Sequence, residues 1–425
     1  MRTAVCCVAV AVGGWGLTLV GAMDAPAADG SQPAPSSGVS APPRSARQEY
    51  QVRHATDLAD RIALGKRLFF DTGLSSPPGQ SCASCHSPAA AFSDPDHSRP
   101  VSVGVLPGRV GTRNAPAVAY NSSAPSFGYD WSERAFYGGM FLDGRVADLA
   151  AQAAQPLLNP QEMHNQSKAE VVEKLLASPI ISDLLRLYPL SPDELQGLTA
   201  DKSSPGYAIS VDGIFSRIGL AVTAYEISTE VNPYSSKYDA YLNQETELSD
   251  REMRGMNLFF GQACCSECHI STGRRREPGV VAPADRWGRH TLFSDFGYDN
   301  IGVPRNDAIA YPPGEPDTGL GRTLAAVSPA SGYYEAGKFK APTLRNVERT
   351  APYGHNGYFK TLEEVVHFYN TRDVPGAGPR PGEHWPPPEF PHTMNRDQMG
   401  NLGLSPAQEQ DIVAFLKTLT DGYTK

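Results

Sequence analysis

The sequence predicts an all-α chain made of two similar halves, and three observations carry that reading. The string Cys-x-x-Cys-His occurs twice, as Cys82-Ala83-Ser84-Cys85-His86 and as Cys265-Ser266-Glu267-Cys268-His269. Each copy follows a related helical stretch, Leu64-Gly65-Lys66-Arg67-Leu68-Phe69-Phe70 before the first and Arg254-Gly255-Met256-Asn257-Leu258-Phe259-Phe260 before the second. Elsewhere apolar residues recur at helical spacing, and alternating strand patterns are scarce.

Cys-x-x-Cys-His is the attachment pattern of c-type haem: the cysteines form thioethers to the porphyrin vinyl groups and the histidine supplies a nitrogen to the iron. Seven Cys and 10 His in 425 residues would give about 0.003 such strings by chance. A zinc knuckle, a thioredoxin-like dithiol or a disulfide is the plainer alternative, but none needs a histidine after the second cysteine in both copies. The fold class is therefore two cytochrome c-like haem domains, all-α with long irregular loops, holding two covalently bound haem c groups. Duplication of one haem domain is the simplest account of the repeat.

The elements follow in order. A helix over 57–69 leads into the first haem string. Helical spacing continues over 148–157, 168–177 and 214–226. A second lead-in helix covers 249–260, with Ser249 as its cap and Glu252 at the capping-box position. Further helices are expected over 361–369 and 405–419, the last opening on Ser405 with Pro406 at the first helical position. Between them lie Gly- and Pro-rich loops, 95–116, 273–290, 302–332 and 374–394, long enough to wrap a cofactor. The domain plan is a signal peptide over 1–28, a flexible linker over 29–49, an N-terminal haem domain over 50–235 and a C-terminal haem domain over 236–425.

The N-terminal segment has the make-up of a secretory signal: Arg2, then an apolar run from Ala4 to Val20 broken by Gly13, Gly14 and Gly16, then small residues around Ala22 to Ala28. An uncleaved anchor is the alternative, though the run is short and Gly-rich for a membrane span. Export suits covalent haem and places the chain in the periplasm. Cys6 and Cys7 would leave with the signal, and four cysteines belong to the haem strings. Cys264 remains, as a buried free thiol or a residue that pairs between chains. A net charge of −9 argues against nucleic acid as a partner.

Several further strings carry a family resemblance. In the first half they are Gly111-Thr112-Arg113-Asn114-Ala115-Pro116, Leu142-Asp143-Gly144-Arg145 and Asn159-Pro160-Gln161-Glu162-Met163. In the second half they are Ala341-Pro342-Thr343-Leu344-Arg345-Asn346-Val347, Thr350-Ala351-Pro352-Tyr353, His355-Asn356-Gly357 and the terminal Phe415-Leu416-Lys417-Thr418-Leu419-Thr420-Asp421. With these strings the chain resembles the dihaem cytochrome c peroxidase/MauG family from about residue 50 to its end.

The resemblance implies unequal haems. The N-terminal one, on His86, would be the peroxide-reacting haem, with Gln152, Pro156 and Glu162 in its distal pocket. A carboxylate there can take a proton from H₂O₂ and return it to the leaving oxygen, while an amide orients the peroxide. Read without the family, Glu162 is a loop carboxylate, and His164 is its local rival. His97, in a polar turn, reads as a solvated histidine, which leaves the N-terminal iron open. The C-terminal haem, on His269, would have Tyr369 as its second ligand, where the peroxidases place a methionine and the MauG branch a tyrosine. Met394 and Met399 are the other candidates, and a buried helix-face tyrosine is the plain alternative. The resemblance also implies one Ca²⁺ held by Asn114, Thr350 and Pro352, by the side chain of the first and the backbone carbonyls of the others.

Two departures stand out. Leu142 occupies a position that is often tryptophan and lies between the haems, so Phe141, Trp131 or Tyr137 is left as a substitute relay. The aromatic-rich segment from Ser122 to Gly139 looks like an insertion. The implied function is a periplasmic peroxidase that reduces hydrogen peroxide to water with electrons from a small cytochrome c or cupredoxin entering at the C-terminal haem. A MauG-like oxidase acting on aromatic residues of a protein substrate is the alternative, and a dihaem electron carrier with no open iron is the third reading.

Overall fold

A computed structural model describes residues 56–270, 291–311 and 315–425. The signal peptide, the linker and the 273–290 loop expected from the sequence lie outside the described residues. The helices are α1 (Leu58–Phe69), α2 (Cys82–Cys85), α3 (Leu149–Ala153), α4 (Lys168–Leu176), α5 (Ile180–Leu187), α6 (Pro192–Gly197), α7 (Pro205–Glu226), α8 (Lys237–Leu242), α9 (Asp250–Phe259), α10 (Leu320–Ala325), α11 (Pro329–Tyr334), α12 (Leu362–Thr371) and α13 (Pro406–Lys417). The strands are few and short. β1 (Gly128–Asp130) pairs antiparallel with β2 (Ala135–Tyr137), and β3 (Tyr298–Asp299) with β4 (Phe339–Lys340). Among the described residues no helix is long and apolar enough to cross a membrane.

The fold is built on one helix crossing, made twice. α1 crosses α7 where Gly65 meets the carbonyl of Ala221, and α9 crosses α13 where Gly255 meets the carbonyl of Asp411. A methyl group at either glycine would run into that backbone. The same side chains then close each crossing: Phe69 packs edge-on against Tyr225 at 5.2 Å, and Phe259 against Phe415 at 5.3 Å. Phe92 reaches the first pair and Phe293 the second. A first core gathers around Leu64, Phe69, Ile214 and Tyr225, and a second around Tyr238, Met256, Phe259 and Phe415. The segment 292–296 serves both, since Leu292 and Phe296 join the first core while Phe293 joins the second.

The helices end where their caps dictate. Ser249, Thr361 and Ser405 each accept the N–H three residues on and close a capping box, with Glu252, Glu364 and Gln408 reaching back. Three sequence expectations need correction. The helix expected over 214–226 begins at Pro205, because Ser204 caps it and Pro205 needs no N–H at its first position. The single helix expected over 148–157 is two elements: α3 stops at Ala153 and a 3₁₀ turn runs Gln155–Leu157. The loop expected over 302–332 contains α10 and the start of α11, short helices whose glycines pack helix against helix. The Ser122–Gly139 segment carries the β1–β2 hairpin, and α5, α6 and α8 were not expected.

The glycine crossings make a quantitative expectation. Gly255→Ala should lower stability by about 1–3 kcal/mol, the usual cost of forcing a methyl into a packed contact. A thermal midpoint equal to that of the native protein would show that the α9–α13 crossing opens without cost.

Candidate functional site

Each Cys-x-x-Cys-His string is presented the same way. Cys82–Cys85 form α2, and the His86 N–H donates to the Cys82 carbonyl at 2.9 Å. The His269 N–H likewise donates to the Cys265 carbonyl at 2.9 Å. The Nδ1 atom of His86 lies 3.3 Å from the Phe92 carbonyl, and that of His269 lies 2.9 Å from the Phe293 carbonyl. An Nδ1–H held by a carbonyl fixes the tautomer and leaves Nε2 as the lone-pair donor, the arrangement an iron ligand requires. Burial drives both imidazoles below the ordinary histidine range, so both are neutral.

The rival readings of these strings fare poorly. Burial raises the Cys82 thiol to about 12, Cys85 to about 11 and Cys265 to about 12. A redox dithiol works through a depressed thiol, the opposite environment. None of the five described cysteines is joined to another of them in a disulfide, and no cluster of three or more His, Cys, Asp or Glu suited to a metal stands among the described residues.

A cavity of about 800 Å³ is lined by Phe141, Arg145, Pro156, Asn159 and Glu162 among others, with no residue of the first string in its wall. Glu162 accepts a hydrogen bond from Asn159 Nδ2 at 2.7 Å. Desolvation raises its carboxyl above the usual range, against the opposing pull of Arg145 and Asn159. Its charge in turn raises both Cys82 and Cys85, which puts it within electrostatic reach of the thioether positions. Such a carboxyl is poised to exchange a proton inside a pocket. Gln152 is not brought here; Gln155 lines the cavity instead. The tightening from α-helix to 3₁₀ turn after Ala153 changes the residues per turn and so changes which side chain faces inward. His164 does not line the cavity, and its Nε2 lies 3.2 Å from the Gln166 amide. His97 is exposed on its loop.

A second, more apolar cavity belongs to the other string. His269, Cys265, Cys268, Tyr369 and Met399 line it. Tyr369 projects from α12, and burial, then the Cys268, Cys265 and Asp299 groups, holds its hydroxyl protonated well above the ordinary tyrosine range. Met394 stands apart, packed against Gly302 and Arg372. His355 also faces this cavity, its ring stacked 3.7 Å from Phe339 and its buried Nε2 without a partner. An apolar space with the His269 imidazole at one wall and an unsatisfied polar atom at its edge suits a porphyrin with polar substituents.

Phe141 lines both cavities. It sits at positive φ, and the Arg145 guanidinium lies 3.5 Å over its ring. Of the three aromatic relay candidates it alone is in this position: Trp131 is 84 % exposed at the hairpin turn, and Tyr137 is in β2. Asn114, Thr350 and Pro352 line the second cavity together. The Asn114 amide donates to the Pro100 carbonyl at 3.2 Å, and its backbone N–H to the His355 carbonyl at 2.9 Å. Sequence reasoning missed the two carbonyl partners of the histidines. The signal was present as a second repeat, Phe92-Ser93-Asp94 and Phe293-Ser294-Asp295.

Comparison with known proteins gives the following. The family model described as di-haem cytochrome c peroxidase matches residues 59–247. The chain is 35% identical over 383 residues to the methylamine utilization protein MauG of Paracoccus denitrificans, covering 87% of this chain and 90% of that protein. It is 29% identical over 363 residues to the cytochrome c551 peroxidase of Nitrosomonas europaea, covering 85% and 80%. Among solved structures, the diheme peroxidase BthA of Burkholderia thailandensis superposes with a TM-score of 0.68 at 34% identity, covering 85% of this chain and 86% of that one.

Proposed function

The chain belongs to the di-haem cytochrome c peroxidase and MauG family, and from that premise we propose that it reduces hydrogen peroxide to water at the first haem, with electrons entering from a small redox protein through the second. Family membership makes it an oxidoreductase acting on peroxide with two haem c groups. The finer reading rests above all on Glu162, a desolvated carboxyl in a cavity wall whose charge reaches Cys82 and Cys85 of the first Cys-x-x-Cys-His string.

When bound on His86, the haem supplies an iron that accepts peroxide and passes on electrons. The residues around it supply the rest. Glu162 takes a proton from H₂O₂ and returns it to the leaving oxygen, completing H₂O₂ + 2e⁻ + 2H⁺ → 2H₂O. Asn159 holds the Glu162 carboxylate in place through its 2.7 Å hydrogen bond. Pro156 narrows the pocket, and Gln155 offers the amide assigned to Gln152 from the sequence. Phe141 stands between the two sites as an apolar spacer. On this reading residues 50–235 and 236–425 are the two haem domains, in keeping with the two separate cores. The signal-like N-terminus favours the periplasm and, with it, a cytochrome c or cupredoxin donor. Asn114, Thr350 and Pro352 would hold the Ca²⁺: among the described residues no hydrogen bond engages the Thr350 or Pro352 carbonyl, and oxygen donors of this kind suit that cation.

A second reading has its own support. Tyr369 in the second cavity favours a MauG-like oxidase that draws electrons from aromatic side chains of a protein substrate, since a hard anionic ligand suits higher-valent iron. Proton loss from Tyr369 against its buried surroundings would need the iron's charge.

Three measurements test these assignments. Steady-state peroxide reduction with reduced cytochrome c should fall by about 10²–10⁴-fold in Glu162→Gln, the range of a general acid–base group, with both haems still attached. Unchanged turnover would remove Glu162 from the chemistry. Tyr369→Phe should alter the low-spin haem spectrum while Met399→Leu leaves it alone; the reverse pattern would transfer the ligand to Met399. Chelation of Ca²⁺ should lower turnover and thermal midpoint, with recovery on readdition, and Asn114→Ala should need more Ca²⁺ for the same recovery. Indifference to chelator in the native protein would dismiss the calcium site.

A further inference from the structure

The two helix crossings give a register between the halves of the molecule. Gly65 meets Ala221 as Gly255 meets Asp411, and Phe69 packs on Tyr225 as Phe259 packs on Phe415. Position 221 therefore corresponds to 411 and 225 to 415, which aligns Glu226 with Leu416. Leu416 is buried and lines the second cavity beside Cys265 and His269. In the first half a carboxyl stands where the second has that leucine. Glu226 is 5 % exposed, one of its carboxyl oxygens has no hydrogen-bond partner, and the hydroxyl of Thr223 one turn earlier has none either.

It acts electrostatically on the first haem string. Glu226 is the strongest charge acting on the Cys82 thiol, which binds porphyrin and not iron. The other groups around this thiol are Cys85, a thioether once haem is attached, and Glu162. The charged side chains of the helices packed on α7 are engaged elsewhere: Lys66 with Glu230, Arg67 with Asp183, Lys174 with Glu170 and Glu194 with Arg217. Tyr225, the neighbour on α7, donates to Glu230 at 2.9 Å.

We propose that Glu226 is the proton-carrying residue of the first haem site, binding one proton from solvent when one electron enters that haem and releasing it when the electron leaves. The electron comes from the donor of the peroxidase reaction and takes ferric iron to ferrous, the proton goes to a carboxylate oxygen, and no other bond changes. The physical cause is charge balance. Added negative charge beside a desolvated carboxylate favours its neutral form, and by linkage the neutral form favours the reduced haem. Burial alone raises this carboxyl to about 8, so it titrates near neutrality, where the coupling is useful. The second site, with Leu416 in the same place, has no such group there. The enzyme would thus hold a proton within reach of the reacting haem, apart from the one carried by Glu162.

The inference rests on the first haem being attached at Cys82 and Cys85 but not on peroxidase activity. It is tested on the holoprotein by following the reduction potential of each haem spectroelectrochemically against pH, the two being resolved by their high-spin and low-spin spectra. The potential of the first haem should fall as pH rises above about 8, where the carboxyl has lost its proton in the oxidised form, by up to about 59 mV for each tenfold fall in proton activity, and Glu226→Gln should remove that dependence. Leu416→Glu should confer a similar dependence on the second haem. In the native protein, the infrared difference spectrum should gain a protonated carboxyl band on reduction of the first haem. A slope retained in Glu226→Gln overturns the proposal, and so does the absence of that band if the variant fails to hold haem. In the native protein, the expected pH slope without any peroxide turnover would fault the peroxidase reading instead.

Discussion

The buried carboxylate of Asp143 organises the ground between the two cavities. It is 2 % exposed and holds Arg113 at 2.7 Å and Arg145 at 2.8 Å. Arg113 reaches on to Asp317 at 2.6 Å, and Arg145 lies over the ring of Phe141. A carboxylate with this little access to water is stable only while its cations remain, so the segment around it has little freedom to move. Lys340 adds the last ties: its backbone N–H donates to the Leu142 carbonyl and its ammonium group to the Gly139 carbonyl. Burial depresses this lysine to about 7, against the pull of Asp143. Segment 139–145 is thus pinned from both sides, and Phe141 is fixed in the walls of both cavities even though its backbone sits at positive φ. The cost of such a backbone is about 1–3 kcal/mol and is met by the surrounding contacts.

Around that fixed segment the two halves repeat one design. A glycine lets two helices touch, a pair of aromatic rings closes the crossing, and a carbonyl after each haem string orients the histidine. The repeat explains why both histidines present the same nitrogen. It also makes the differences informative. The first half sets Glu162 and Glu226 within electrostatic reach of Cys82; the second lines its cavity with Tyr369 and Met399 and sets the Asp299 carboxyl 3.2 Å from Cys268 Sγ. The helix-rich architecture agrees with the likeness to BthA over 85% of the chain.

Electrostatics, more than shape, separates the sites. Glu162 is desolvated, which raises its carboxyl above the usual range against the pull of Arg145 and Asn159. Around His86 and His269 the same desolvation keeps the imidazoles neutral and available as ligands. One physical effect, desolvation, therefore prepares the acid in one place and the ligands in another.

The sequence by itself determined the covalent chemistry and the local structure. Two Cys-x-x-Cys-His strings specify two haems, and capping residues such as Ser249 and Ser405 specify helix starts, because thioether spacing and cap hydrogen bonds involve residues a few positions apart. Glu162, Pro156 and Tyr369 were singled out only through the resemblance to a family. What the tertiary structure decided concerns direction. Gln155 rather than Gln152 faces the first cavity because a helix changes pitch between them. Met399 rather than Met394 reaches the second because the loop carrying both folds Met394 onto Gly302. Phe141 rather than Trp131 stands between the sites because Asp143 pins its backbone. The place of Glu226 opposite Leu416 likewise follows from packing between segments far apart in the chain, which no local spacing encodes.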